Sequence, residues 1–256
     1  MPIVRLTNYV EAYRVRALSP DIHRMAGRDD KNALTEFVNS RILEGMKFGL
    51  GDVLVDIGCG DGCLLRMAAG KVSRRIGVIP TREEKERLET ILPDVTFLTA
   101  LVQKLPLESE SVSHIVCNSV LLLLDSESDV TAALQEMARV AGRHAKIWIG
   151  EIPDADEYEE LHMYRGTSEW DLLRHLRKNA GWRPALGMGR RLVRGFLGRE
   201  SLVLNSARMF HATPERLIRM ATQCGLKLET YFRHQELDLR GDIVDSAHRF
   251  DYVFRK

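Results

Sequence analysis

The 256-residue chain has no run approaching the roughly 18 consecutive apolar residues that a membrane-spanning helix needs. Its first twenty residues mix Arg5, Arg14 and Arg16 with Glu11 and hold no continuous apolar segment, so no secretory signal is expected there. Cysteine is scarce. The four present, Cys59, Cys63, Cys117 and Cys224, have neither zinc-finger spacing nor the pattern of a disulfide framework. They read as reduced thiols, which suggests a cytoplasmic protein, and no metal site is expected. Excess charge is also missing: 37 Lys and Arg against 36 Asp and Glu leave a formal net charge of +1. No global field therefore selects nucleic acid or another polyanion, and any charge argument has to be local. Internal repeats and low-complexity tracts are absent, which excludes solenoids and arrays.

Apolar residues make up 45% of the chain, enough for a sizeable core. Leu34, Phe37, Val38, Ile42 and Leu43 recur at helical spacing across 33–46. The short run Val53-Leu54-Val55-Asp56-Ile57 follows, almost wholly apolar, as suits a strand buried on both faces of a parallel sheet. Strands and helices then alternate: helix 63–69, strand 75–79, helix 82–92, strand 95–99, strand 113–118, helix 129–141 and strand 145–149. A helix over 214–223 and strands over 226–232 and 249–254 close the chain. This pattern predicts an α/β fold with a doubly wound, mostly parallel sheet. The regularity fails from Asp154 to about Ser206, which reads as an insertion after the fifth strand. The expected organisation is an N-terminal helical segment (1–48), a nucleotide-binding core (49–153), a basic helical insertion or lid (154–206) and closing elements (207–256).

Asp56-Ile57-Gly58-Cys59-Gly60-Asp61-Gly62 takes a buried strand into a glycine-rich turn that opens a helix. Glycines let the backbone turn sharply and approach a ligand closely, and free N–H groups at the helix start can hold a polar group. A dinucleotide fingerprint needs Gly-x-Gly-x-x-Gly, but here Cys63 stands where the last glycine belongs. Asp56 would also sit badly beside a pyrophosphate. It suits a cofactor carrying an ammonium group, such as the methionine moiety of S-adenosylmethionine (SAM). A nicotinamide oxidoreductase is thereby disfavoured.

At this motif the chain resembles the class I, Rossmann-like SAM-dependent methyltransferases. Leu105-Pro106-Leu107 with Ser111 to Val116 is similar to the family's stretch entering strand four, and Glu136 to Val140 to its "E-x-x-R-V" helix before strand five. The resemblance implies the family's seven-stranded sheet. It also implies a glycine turn (Asp56, Gly58, Cys59, Gly60, Gly62) that grips the methionine end of SAM, and a strand-four end (Asn118, Ser119) beneath the transferable methyl group. On the adenosine side the chain departs from the pattern. Ile79 holds the place of the acid that usually binds the ribose, and Leu101 that of an acid usually found at the adenine amino group. Pro80 and Thr81, or Glu83, are then expected near the ribose. Leu101 and Val102 would form an apolar adenine slot, with a backbone N–H near Val102 for a ring nitrogen. Gly77-Val78-Ile79-Pro80-Thr81 is also similar to a methyltransferase subgroup associated with surface-polysaccharide biosynthesis.

Methyl transfer from a sulfonium is an in-line displacement; a hydroxyl acceptor also needs a base near its proton. Glu151, just after the fifth strand, stands at the carboxyl end of the sheet, where ligands of open α/β sheets bind. His162, Tyr164 and His211, in or beside the insertion, are the other candidates. Residues 165–199 are rich in Arg and Lys and poor in acids, with Trp170, Trp182 and two leucine-bearing stretches at helical spacing joined by Gly181-Trp182-Arg183-Pro184. Such helices suit a lid over a small-molecule or glycan-type acceptor, or contact with a membrane surface or a lipid-linked substrate. Nucleic acid is not expected, because aromatic residues are not interleaved with the basic ones on a sheet. The expectation is a SAM-dependent methyltransferase. Its rival is a methyltransferase-like scaffold that has lost the cofactor.

Overall fold

The apolar runs assemble into one seven-stranded sheet. The computed structural model describes residues 3–6, 9–17, 21–22, 32–158, 169–198, 202–205, 210–238 and 240–256. In chain order the elements are β1 (Ile3–Leu6), α1 (Tyr9–Ala17), α2 (Asn32–Met46), β2 (Val53–Ile57), α3 (Cys63–Met67), β3 (Arg74–Ile79), α4 (Arg82–Ile91), β4 (Thr96–Thr99), β5 (Val112–Asn118), α5 (Glu127–Val140) and β6 (Ala141–Pro153). After these come α6 (Ala155–Tyr158), α7 (Glu169–Ala180), α8 (Trp182–Phe196), β7 (Leu202–Asn205), α9 (Pro214–Gln223), β8 (Lys227–Leu237) and β9 (Ile243–Arg255).

The sheet order is β4-β3-β2-β5-β6-β9-β8, with only β9 antiparallel to its neighbours. This is the doubly wound, mostly parallel sheet that the alternation predicts. Each face has its own helices. Leu54, Ile79, Val116 and Trp148 pack with Val38 and Ile42 of α2, Leu64 and Leu65 of α3 and Leu88 of α4. Val55, Ile57, Ile115 and Ile149 pack with Val130, Leu134 and Met137 of α5 and Leu217 and Ala221 of α9. Because successive strand residues point to opposite faces, both faces can be covered only if β2 and β5 are apolar at nearly every position.

Local chemistry sets the helix starts. Ser126 Oγ accepts from Asp129 N–H at 3.1 Å at the start of α5, and Thr213 caps α9 with Pro214 in its first turn. Glu136 and Arg139, in the stretch similar to the family's helix before strand five, pin the loop that feeds β5. Glu136 accepts from Leu105 N–H at 2.8 Å, and Arg139 donates to the carbonyls of Leu107 and Leu105 at 2.9 and 3.0 Å.

Two features depart from the sequence reading. The N-terminal segment opens with a strand, β1, which pairs in parallel with β7 from the end of the insertion. The first residues are therefore joined to the insertion, whereas α2 lies on the core sheet. The closing hairpin is also longer than expected. β8 and β9 run to Leu237 and from Ile243, beyond the apolar stretches that mark them in the sequence. In the insertion, the two expected helices are α7 and α8, broken only at Gly181, with Pro184 tolerated in the first turn of α8.

Candidate active site

Left-handed backbone recurs along the carboxyl edge of the sheet. Gly58, Gly60 and Gly62 follow β2 with φ of 72°, 56° and 74°; Ser119 follows β5 at 58°, and Glu151 lies near the end of β6 at 61°. These are the carboxyl ends of three adjacent strands. Non-glycine residues held in this region are costly and concentrate at functional sites.

At Gly58 the conformation is enforced by space as well. A Cβ there would stand 2.4 Å from Val120 Cγ2. Gly58 N–H donates to Val78 O at 2.8 Å, tying the turn to β3. Asp61 Oδ1 accepts from Cys63 N–H at 3.0 Å and so serves the helix start. Gly60 N–H makes no hydrogen bond within the described residues, which leaves a backbone donor open on the turn. Asp56 is buried beneath it. Burial pushes the Cys59 thiol well up, and the charges of Asp56 and Glu84 push it further. Burial and Asp56 do the same to Cys117. Neither sulfur is a thiolate nucleophile at neutral pH. The Cys59 side chain instead fills space beside Gly77, where a Cβ would stand 2.8 Å from its sulfur, so Cys59 can offer a ligand only its backbone.

On the adenosine side, Ile79 is 1% exposed and packed into the core, so its side chain presents no surface to a ligand. Half-buried Pro80 follows it. Thr81 caps α4: its hydroxyl accepts from Glu84 N–H at 3.3 Å and also bonds the Glu84 carboxylate. The buried acid of this first turn is thus Glu84, while its neighbour Glu83, considered for the ribose from sequence, is exposed. The Thr-x-x-Glu capping spacing at 81–84 was the available signal. After β4, Leu101 is 46% exposed while Val102 is buried in the core. Val102 N–H has no hydrogen bond within the described residues. Gln103, which the sequence reading passed over, has its buried Oε1 unpartnered among them.

The ends of β5, β6, β8 and β9 carry a polar network. Asn118 Nδ2 donates to Glu151 Oε1 at 2.9 Å, and Arg249 Nη1 meets Glu151 Oε2 at 2.8 Å. Glu151 N–H donates to Asp251 Oδ1 at 2.8 Å, and Asp251 holds His234 Nδ1 at 3.0 Å. Burial pulls the His234 imidazole down, but the Asp251 bond and charge, with Glu151, outweigh it and leave the pKa raised. Asn118 Oδ1, Trp148 Nε1 and Arg249 Nε are buried without a hydrogen-bond partner among the described residues. The first two converge above Gly150, where a Cβ would lie 1.9 and 2.7 Å from them. Ser119 N–H donates to Gly150 O at 3.2 Å and locks the two strand ends together. His211 lies between Phe210 and Ala212, whose N–H groups donate to Leu122 O and Pro153 O beside this edge. His162 and Tyr164 lie outside the described residues. His234, Asp251 and Arg249 were not found from sequence, because only the register of the hairpin brings them to β6.

Comparison with known proteins falls on the same edge. Residues 55–149 match the family model of a methyltransferase domain. That segment spans less than half of the chain and includes the glycine turn and the ends of β3, β4 and β5. No curated protein matches the chain. Among solved structures, it is similar to a SAM-dependent methyltransferase from Methanosarcina mazei, at 15% identity over 84% of this chain and 96% of that one, with a TM-score of 0.58. The N-methyltransferase NodS from Bradyrhizobium japonicum, in complex with S-adenosylhomocysteine, is similar at 13% identity over 97% and 98%, with a TM-score of 0.60. The [4+2]-cyclase SpnF is similar at 12% identity over 100% and 98%, with a TM-score of 0.62. At these identities the likeness concerns the fold, which is that of the Rossmann-like methyltransferases.

Proposed function

We propose that the chain is a SAM-dependent methyltransferase that methylates a small polar acceptor of glycan type at a hydroxyl. The observation that carries this reading is the glycine turn after β2, with an open Gly60 N–H above buried Asp56, in a segment that matches a methyltransferase domain. The donor set fits the cofactor. Asp56 suits the ammonium end, Gly60 N–H a carboxylate, and the Gln103 amide oxygen and Val102 N–H the edge of an adenine. Glu84, in the first turn of α4, is as buried as Ile79 and bonded to Thr81, so it does not replace the acid missing at Ile79. Pro80, Thr81 and Leu101 line this side. When bound, SAM supplies an electrophilic methyl group, and the protein supplies alignment.

Asn118, Ser119 and Glu151 form the acceptor side. Asn118 Oδ1 accepts a hydrogen bond from the acceptor, and Trp148 Nε1 and Arg249 Nε donate. Glu151, oriented by Asn118 and Arg249, takes the hydroxyl proton. Calorimetric titration with SAM and with S-adenosylhomocysteine tests the reading: micromolar binding of both is expected, and no heat with either would overturn it. A second reading is a scaffold that has kept the fold without the cofactor; the observation favouring it is the apolar, core-packed Ile79. Binding that is absent in the parent and restored by Ile79→Asp would select that reading.

A further inference from the structure

The helix α8 turns a second apolar face outward. Ala185, Leu192 and Gly195 are buried, and α8 packs against α7, β1 and β7. Trp182, Leu186, Val193 and Leu197 recur at spacings of four, seven and four residues, which puts them on one side of the helix with Phe196 beside them. All five are more than half exposed, Trp182 at 62% and Phe196 at 68%. Exposed Arg183, Arg190 and Arg194 run along one flank of this stripe and make no ion pair among the described residues. α8 contains no acidic residue. Arg177, from the last turn of α7, lies over the Trp182 ring at 4.6 Å and adds a further cation at that end.

We infer that α8 is a membrane-surface helix that seats the protein on anionic lipid. A stripe of large apolar side chains that includes Trp, bordered by arginines and free of acids, matches the boundary between acyl chains and negatively charged headgroups. Charge complementarity selects the occupant, since the flank is uniformly basic while the whole chain is close to neutral. The helix, ~22 Å long at 1.5 Å per residue, lies in the interface plane. No helix among the described residues is long and apolar enough to cross a bilayer. An acceptor carried on a lipid would then be methylated at that surface, a consequence that rests on the proposed function; the membrane contact itself does not.

Flotation of the full chain with phosphatidylcholine vesicles, with and without added phosphatidylglycerol, is the test. The parent protein floats with anionic vesicles at low salt, is released at high salt, and stays behind with phosphatidylcholine alone. Arg190→Ala with Arg194→Ala weakens retention about thirtyfold, from the loss of two surface charges, and Trp182→Ser with Phe196→Ser removes it. Both variants change exposed residues and keep the parent's thermal midpoint. Absence of flotation at low salt, or retention equal to the parent's in both variants, would overturn the inference. So would a parent dimer in sedimentation that Trp182→Ser with Phe196→Ser makes monomeric, since a second copy would then cover the stripe.

Discussion

The turn after β2 and the helix α8 each carry three glycines, and Gly58 in the turn and Gly187 in the helix stand under opposite requirements. In the turn, Gly58, Gly60 and Gly62 hold left-handed backbone, and Val120 and Leu92 already fill the space of a Cβ at the first and last. In α8, Gly187 has nothing within 4 Å of an added Cβ and needs no unusual backbone. Gly58 is fixed by what the fold must hold close. Gly187 weakens a helix whose apolar stripe faces outward, as befits an element completed by something outside the chain. Gly58→Ala breaks the comparison most severely. Left-handed strain on a non-glycine residue and overpacking against Val120 together cost about 3 kcal/mol of stability, read as a lower urea midpoint. SAM affinity falls with it, as calorimetry would show.

The same contrast separates what could be read from the sequence from what could not. β2 and α9 were legible to the residue, because a strand buried on two faces is a continuous apolar run and a Thr-Pro start with a glycine stop brackets a helix. The glycine turn was legible for the same reason: its spacing is a backbone requirement written in residue type. The outer half of the β8–β9 hairpin was not. Arg233, His234, Gln235 and Glu236 carry no apolar alternation, so the strand read as ending at Phe232. His234 and Asp251 meet only through pairing across that hairpin, where Phe232 stands opposite Asp251. The β1–β7 pair was equally hidden. Two four-residue strands almost two hundred residues apart have no local signature that links them.

The hairpin's polar pair offers a second, smaller test. His234 gains Asp251 as a partner on folding, so its pKa is raised in the folded protein over the ordinary 6.5. The charged bond therefore contributes in full below pH 6.5 and is lost as pH rises through the raised folded value. The parent's urea midpoint falls across that window on the alkaline side. In His234→Gln the slope disappears, and stability at pH 6 drops by about 2 kcal/mol, the scale of a hydrogen bond to a charged group. An unchanged slope in the variant would assign the pH dependence to other groups.

The smallest expected effect has the opposite sign. Gly187→Ala places a methyl in open space inside a helix, where alanine is favoured over glycine by about 0.5–1 kcal/mol. The variant is expected to raise the unfolding midpoint slightly and leave SAM binding untouched, because nothing on the glycine turn depends on α8. The same one-methyl change that cripples the turn would then strengthen the insertion. If Gly187→Ala instead destabilised the chain, the open side of α8 would have to be packed against something in the free protein. Gly187 lies beyond Arg190 and Arg194 rather than on the apolar stripe, so that outcome would place the packing partner against the basic flank.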